Sequence, residues 1–320
     1  MQMTLPAVPL PGDDALETAS RNGHHGPNAY GSSGRSPWLD VDWREHQRWV
    51  SVDGRPVNTI DLGEGPPLVF VHGLAGSWPN WLEQLPVFAD RHRVIAMDLP
   101  GFGHSPMPRE RITISGYARL LDGLFDELGI DAATLIGNSM GGFVSAELAI
   151  AFPQRVERLV LVSPAGISSY DDPRGKRALP VVRRLRRLLT GITAWGAANA
   201  DAIAGRPGLR RLTLGNLLSH PGLLGAQLAA ELVRGAGKPG FMQALEANLN
   251  YEIRDRLPEI ACPTLIVWGD RDRVVLARDA YVYAEMIPRS RKVIYADTGH
   301  LTMLERPDAF NALLQEFLEE

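Results

Sequence analysis

Residues Ile136 to Phe143 read Ile-Gly-Asn-Ser-Met-Gly-Gly-Phe, with Ser139 set between glycines two positions to either side. A serine hydroxyl is a poor nucleophile until a base takes its proton, and that base needs a carboxylate to orient it. Both groups occur downstream. Trp268-Gly-Asp-Arg-Asp272 offers two acids, and Asp297-Thr-Gly-His300 offers a histidine. Ser139, Asp272 and His300 therefore read as nucleophile, orienting acid and general base of an acyl-transfer site. Asp270 is the alternative acid, but its place in the turn suits backbone hydrogen bonds within its own loop.

Such a reaction builds negative charge on a carbonyl oxygen, which calls for two aimed N–H donors. The Met140 amide, at the start of the helix after Ser139, is one candidate. The second is expected from the loop Val71-His-Gly-Leu-Ala-Gly-Ser77, at Leu74. Asn138, His72 and Gly73 are the expected substrate-side residues. The His72 ring is also expected to hold its loop by hydrogen bonds. His104, in the turn Gly103-His104-Ser105, is a candidate for the pocket mouth. His92 and His220 read as solvated or structural, and no metal ligand set is expected.

These loops need rigid elements behind them. Trp49 to Val52 and Val57 to Asp61 predict a hairpin turning at Asp53-Gly54. Leu68 to Val71, Val94 to Met97, Ala133 to Ile136, Leu159 to Val162, Thr264 to Trp268 and Lys292 to Tyr295 predict short buried strands. Helices are expected over Trp78 to Ala89, Ile114 to Leu128, Phe143 to Ala151, Ala277 to Met286 and Leu304 to Leu318. Apolar strands alternating with helices predict an α/β fold: a mostly parallel sheet with helices on both faces. The rhythm breaks from about Gly166 to Arg256, where helical patterns are interrupted by prolines. A helical cap over residues 166–256 is expected, on a core of residues 38–165 and 257–320. Residues 1–37 read as a disordered tail.

The chain has 320 residues, 45% hydrophobic and 22% charged, with net charge −4. That is long enough for an ample core, and its mild acidity gives no support for nucleic-acid binding. Cys262 is the only cysteine, so no intrachain disulfide can form; next to Pro263 and an apolar strand it reads as a buried structural thiol. His24-His25 has no third ligand nearby. Met1 to Leu10 lacks a basic start and a long apolar stretch, so no signal peptide is expected. No run is apolar enough to cross a membrane, and a cytoplasmic location follows as the default. Arg174 to Arg187 holds seven basic residues and no acid, interleaved with leucines. A solvated cap face is expected there, with contact to an anionic membrane as the sharper reading.

His72-Gly73, Asp98-Leu-Pro-Gly-Phe-Gly-His-Ser105, Gly137-Asn-Ser-Met-Gly-Gly142, Trp268-Gly-Asp-Arg-Asp272 and Gly299-His300 together resemble the α/β-hydrolase superfamily. Within it the likeness is to cap-bearing serine hydrolases, both esterase-like and meta-cleavage C–C-hydrolase-like. The resemblance covers roughly residues 65 to 310 and implies a covalent acyl intermediate, a small-molecule substrate and no cofactor. Ser139 stands where epoxide hydrolases and haloalkane dehalogenases of this fold carry Asp. Asn138 before the serine matches the C–C hydrolases. Leu301, in place of an aromatic after the histidine, departs from them, as does a His72 loop with less glycine and proline. An apolar carboxylic ester is therefore the expected substrate, C–C cleavage the alternative, and a ligand-binding protein with weak turnover the third reading.

Overall fold

The computed structural model describes residues 30–32, 34–168, 184, 191, 193 and 195–320. Eight strands form one sheet: β1 (Gln47–Val52), β2 (Arg55–Leu62), β3 (Pro67–Val71), β4 (Arg93–Met97), β5 (Ala133–Asn138), β6 (Val156–Val162), β7 (Thr264–Gly269) and β8 (Ser290–Tyr295). Their spatial order is β1-β2-β4-β3-β5-β6-β7-β8. The β1–β2 and β2–β4 pairs are antiparallel and all others parallel. The chain is thus an α/β protein with a mostly parallel sheet, as the alternation predicts.

The side-chain alternation splits the core in two. Val69 and Val71 of β3 join a cluster on one face with Leu121, Leu135, Phe143 and Trp268. Leu68 and Phe70 join the other with Trp81, Ile136, Leu265 and Phe310. A strand buried on both faces cannot show a polar alternation, which is why these strands read as continuous apolar runs.

Local chemistry sets the turns. Asp53 and Gly54 take φ of 49° and 74°, the left-handed pair that a two-residue hairpin needs. Helix Ile114–Leu128 begins where the Thr113 hydroxyl accepts the Gly116 N–H and ends at left-handed Gly129.

Two expected helices are broken. Trp78 to Ala89 becomes a 3-10 turn, Trp78–Trp81, and a single α-turn, Leu85–Phe88. Pro79 and Pro86 each sit at the start of one of these pieces, where a missing N–H costs nothing. The C-terminal helix divides into Thr302–Glu305 and Pro307–Glu319. Arg306 between them leaves the helical conformation, at φ −131° and ψ 54°, because Pro307 disfavours that conformation in its predecessor.

Between β6 and β7 the described helices are Ala200–Ala204, Pro207–Leu214, Ala226–Gly235 and Phe241–Asn250. The His24-His25 pair and the basic stretch Arg174 to Arg187, apart from Arg184, lie outside the described residues. Cys262 is half-buried rather than buried, and burial pushes its thiol pKa up. Among the described residues no helix is long and apolar enough to cross a membrane.

Candidate active site

After β3 the chain runs to β4 on one side; after β5 it runs to β6 on the other. The loops leaving the carboxyl ends of β3 and β5 therefore diverge and open a crevice, the place where open α/β sheets take ligands. The Gly73–Ser77 loop follows β3, and Ser139 follows β5.

Ser139 takes φ 56° and ψ −118°, a strained conformation for a residue with a side chain. The turn is held by its own backbone: Ser139 N–H donates to Val162 O (2.9 Å), and Ser139 O accepts from Phe143 and Ala165 N–H (3.0 and 3.1 Å). The glycines on either side are required by contact. A Cβ on Gly137 would lie 2.5 Å from Gly141 O, and one on Gly141 would lie 2.1 Å from Val71 O. Gly73 approaches from the other loop, where a Cβ would lie 2.9 Å from that of Ser139.

Gly141→Ala is accordingly expected to cost about 3 kcal/mol or more by forcing β3 and the helix apart. Gly208→Ala, which meets nothing within 4 Å, is the matched control and should be neutral or slightly stabilising. Thermal melts of the two variants check the contrast; equal melting temperatures would contradict it.

His300 follows β8 and Asp272 follows β7. The imidazole Nδ1 stands 2.7 Å from Asp272 Oδ2. Asp272 Oδ1 accepts the N–H groups of Val274 and Val275 at 2.8 and 2.9 Å. The carboxylate is thus held on both oxygens in a buried place, with one of them on His300 Nδ1. Asp270 is exposed and accepts the Thr298 N–H at 3.2 Å, a bond to the loop after β8 rather than within its own turn as expected.

Ser139 and His300 line one cavity of about 650 Å³, together with Gly73, Leu74, Asn138 and, from the segment between β6 and β7, Leu214, Leu217, Leu232, Phe241 and Leu249. Its described wall is mostly aliphatic, with Asn80, Thr193, Thr213 and Asn248 the other polar side chains. Leu74 lies on this wall, and Met140 opens the helix behind Ser139, where first-turn amides have no intrahelical partner.

Asn138 and His72 are placed differently. Asn138 lines the cavity, yet its Nδ2 donates to Val162 O (3.1 Å) and His300 O (3.4 Å), bracing the turn. His72 does not line the cavity. Its Nε2 accepts the Leu99 N–H (2.9 Å), so the proton sits on Nδ1 and is donated to Gly73 O (2.8 Å). Complete burial lowers its pKa and keeps the ring neutral. It sets the loop's shape, edge-on to Phe102.

His104 is exposed and off the cavity wall. Asp98 anchors that loop, taking the N–H groups of Trp78 and His104 and the Asn58 amide, each at 2.8 Å. Among the described residues no group of His, Cys, Asp or Glu could hold a metal ion.

Glu305 is a residue the sequence reading missed. It is fully buried and accepts the N–H next to His300. An acid closing the stretch Leu301-Thr-Met-Leu304, apolar but for Thr302, is the signal the sequence offers.

A model of the alpha/beta hydrolase fold matches residues 66–307. The dihydrolipoyllysine-residue acetyltransferase component of the acetoin cleaving system of Cupriavidus necator is 33% identical, over 85% of this chain and 68% of its own length. The 2-hydroxy-6-oxo-2,4-heptadienoate hydrolase of Pseudomonas putida is 29% identical, over 85% of this chain and 95% of its own. A thermophilic esterase from Thermogutta terrifontis superposes with a TM-score of 0.71 at 26% identity, covering 85% of this chain and 98% of that one.

Proposed function

The chain belongs to the alpha/beta hydrolase fold family, and we propose that within it the protein is a serine hydrolase cleaving a carboxylic ester, or a related acyl bond, of a small to medium apolar substrate. The observation that carries this reading is the Asp272–His300 pair at 2.7 Å, with His300 and Ser139 on one aliphatic cavity.

In this reading His300 Nε2 takes the Ser139 proton as Oγ attacks the substrate carbonyl. Asp272 holds Nδ1–H and stabilises the imidazolium. The Leu74 and Met140 amides receive the oxyanion, each worth about 3 kcal/mol in comparable sites. The tetrahedral species collapses, the leaving alcohol takes the proton from His300, and an acyl group stays on Ser139. Water activated by His300 then releases the acid.

A second reading, C–C bond hydrolysis of a dienoate, is supported by Asn138 and by the heptadienoate hydrolase among the relatives. Two features weigh toward the ester. The Asn138 amide is already committed to two backbone carbonyls. The described wall is also apolar and, His300 apart, carries no ionisable side chain, so a substrate carboxylate there would cost several kcal/mol to desolvate.

Steady-state hydrolysis of p-nitrophenyl esters from acetate to palmitate, beside a ring-opened dienoate, separates the two. The expected result is turnover of one ester chain-length range with kcat/KM at least about tenfold above the dienoate's, the scale of a one-methylene misfit. Preference for the dienoate would move the protein to the C–C hydrolases.

A further inference from the structure

The catalytic histidine's loop is held from outside by two consecutive residues. Arg306 donates from Nε to Thr298 Oγ1 (3.1 Å) and from Nη2 to the carbonyls of Ala296 and Asp297 (3.3 Å each). Glu305 faces the other way. Its Oε1 accepts the Gly299 N–H at 2.9 Å, and its Oε2 accepts the Ser219 N–H at 2.8 Å and the Tyr30 hydroxyl at 2.9 Å.

Ser219 belongs to the strap from Leu217 to His220 that follows helix Pro207–Leu214. The strap touches the histidine loop at two more points. His300 N–H donates to Leu217 O at 2.8 Å, and His220 Nε2 stands 2.8 Å from Asp297 Oδ1. Leu217 also lines the cavity. One carboxylate therefore bonds both the residue before the base and the strap that closes the substrate wall.

We propose that Glu305 is a positioning residue: its carboxylate locks the cap strap Leu217–His220 to the His300 loop, so that closing the pocket and aligning the base are one event. The inference rests on the serine-hydrolase reading of Ser139 and His300. Every group facing Glu305 across these bonds is a donor, so a charged acceptor fits the site. Burial works against that charge and raises the Glu305 pKa to about 7, despite the three donors and the nearby Arg306 guanidinium. The cost of burying this carboxylate is offset by a geometry that no neutral side chain reproduces. An amide of the same shape turns one acceptor into a donor that meets an N–H head-on.

The test is saturable labelling of Ser139 by a fluorophosphonate, with wild type, Glu305→Gln and Tyr30→Phe. The probe reads the triad whatever the natural substrate. Glu305→Gln is expected to lower the maximal labelling rate about tenfold to hundredfold, the effect of an ångström-scale misplacement of a catalytic group. Probe affinity should weaken as well, by about twofold to tenfold, since Leu217 of the released strap lines the cavity.

Tyr30→Phe leaves both amide bonds to Glu305 in place and removes only the hydroxyl's bond to Oε2 and the one it accepts from the His220 N–H at 3.2 Å, so its loss of rate should stay below about threefold. Should Glu305→Gln not accumulate as folded protein, Glu305→Asp takes its place. It keeps the charge, falls one methylene short of bridging both amides, and should show the same loss of rate. Wild-type labelling rates in the folded Glu305 variant, with only a lowered melting temperature, would overturn the inference. Absence of labelling in wild type would instead overturn the reading of the triad.

Discussion

Ser139→Ala is expected to lower ester turnover by about four to six orders of magnitude while leaving the fold intact. The size of the loss follows from the way the site is divided. In the proposed site Asp272 and His300 serve to raise the nucleophilicity of one hydroxyl, so removing that hydroxyl would idle both; the loss is then as large as for the whole set. What survives is acceleration by the Leu74 and Met140 amides and by binding alone. The fold should not respond, because Ser139 contributes no side-chain bond to the turn. Its turn is made by Ser139 N–H on Val162 O and by Ser139 O receiving Phe143 and Ala165. Alanine at φ 56° carries a backbone strain similar to that of serine. The melting temperature should therefore stay within about 2 °C of wild type. Paired measurement of kcat and melting temperature decides the matter. Retained turnover, or a large fall in melting temperature with it, would make Ser139 a structural residue.

The candidate site was legible in the sequence because each residue proposed to react stands directly after a strand, and strands buried on both faces announce themselves by composition. Ser139 after β5, Asp272 after β7 and His300 after β8 needed only the parallel arrangement to bring them to one edge of the sheet. Gly137 and Gly141 likewise read correctly, since their spacing reflects contacts a few residues away. What failed to show was long-range. Glu305 gains its partners from Tyr30 and Ser219, 275 and 86 residues away in the chain, and nothing local signals either. Of the two expectations for His72, holding its loop by ring hydrogen bonds is met and lining the substrate cavity is not. Its two ring nitrogens are engaged by Leu99 and Gly73. The helix breaks had a local cause: Pro79, Pro86 and Pro307 were each present in the sequence, and each starts a new piece. The packing of the segment between β6 and β7, and with it the aliphatic wall, is set by how several amphipathic helices meet, and periodicity fixes only which face of each is apolar.

Asp272→Asn is expected to cost about ten-thousandfold in kcat/KM, by imposing the wrong imidazole tautomer. The geometry decides how the new amide must sit. Oδ1 receives two backbone donors, Val274 and Val275 N–H, and an NH2 group turned toward them would face two N–H groups in a buried place. The amide oxygen therefore stays on that side, and the NH2 group points at His300 Nδ1. A donor there forces Nδ1 to accept, which moves the ring proton to Nε2. Nε2 then faces Ser139 with a proton it cannot exchange for the serine's, and the imidazolium loses its counter-charge as well. Because the bonds to Val274 and Val275 survive, the melting temperature should change little, so the rate loss reports tautomer rather than folding. Asp270→Asn is the control. Asp270 bonds Thr298 N–H with Oδ1 and stands exposed, so an amide can keep that bond and the rate should fall by less than about tenfold. Reversal of the two effects would transfer the orienting role from Asp272 to Asp270.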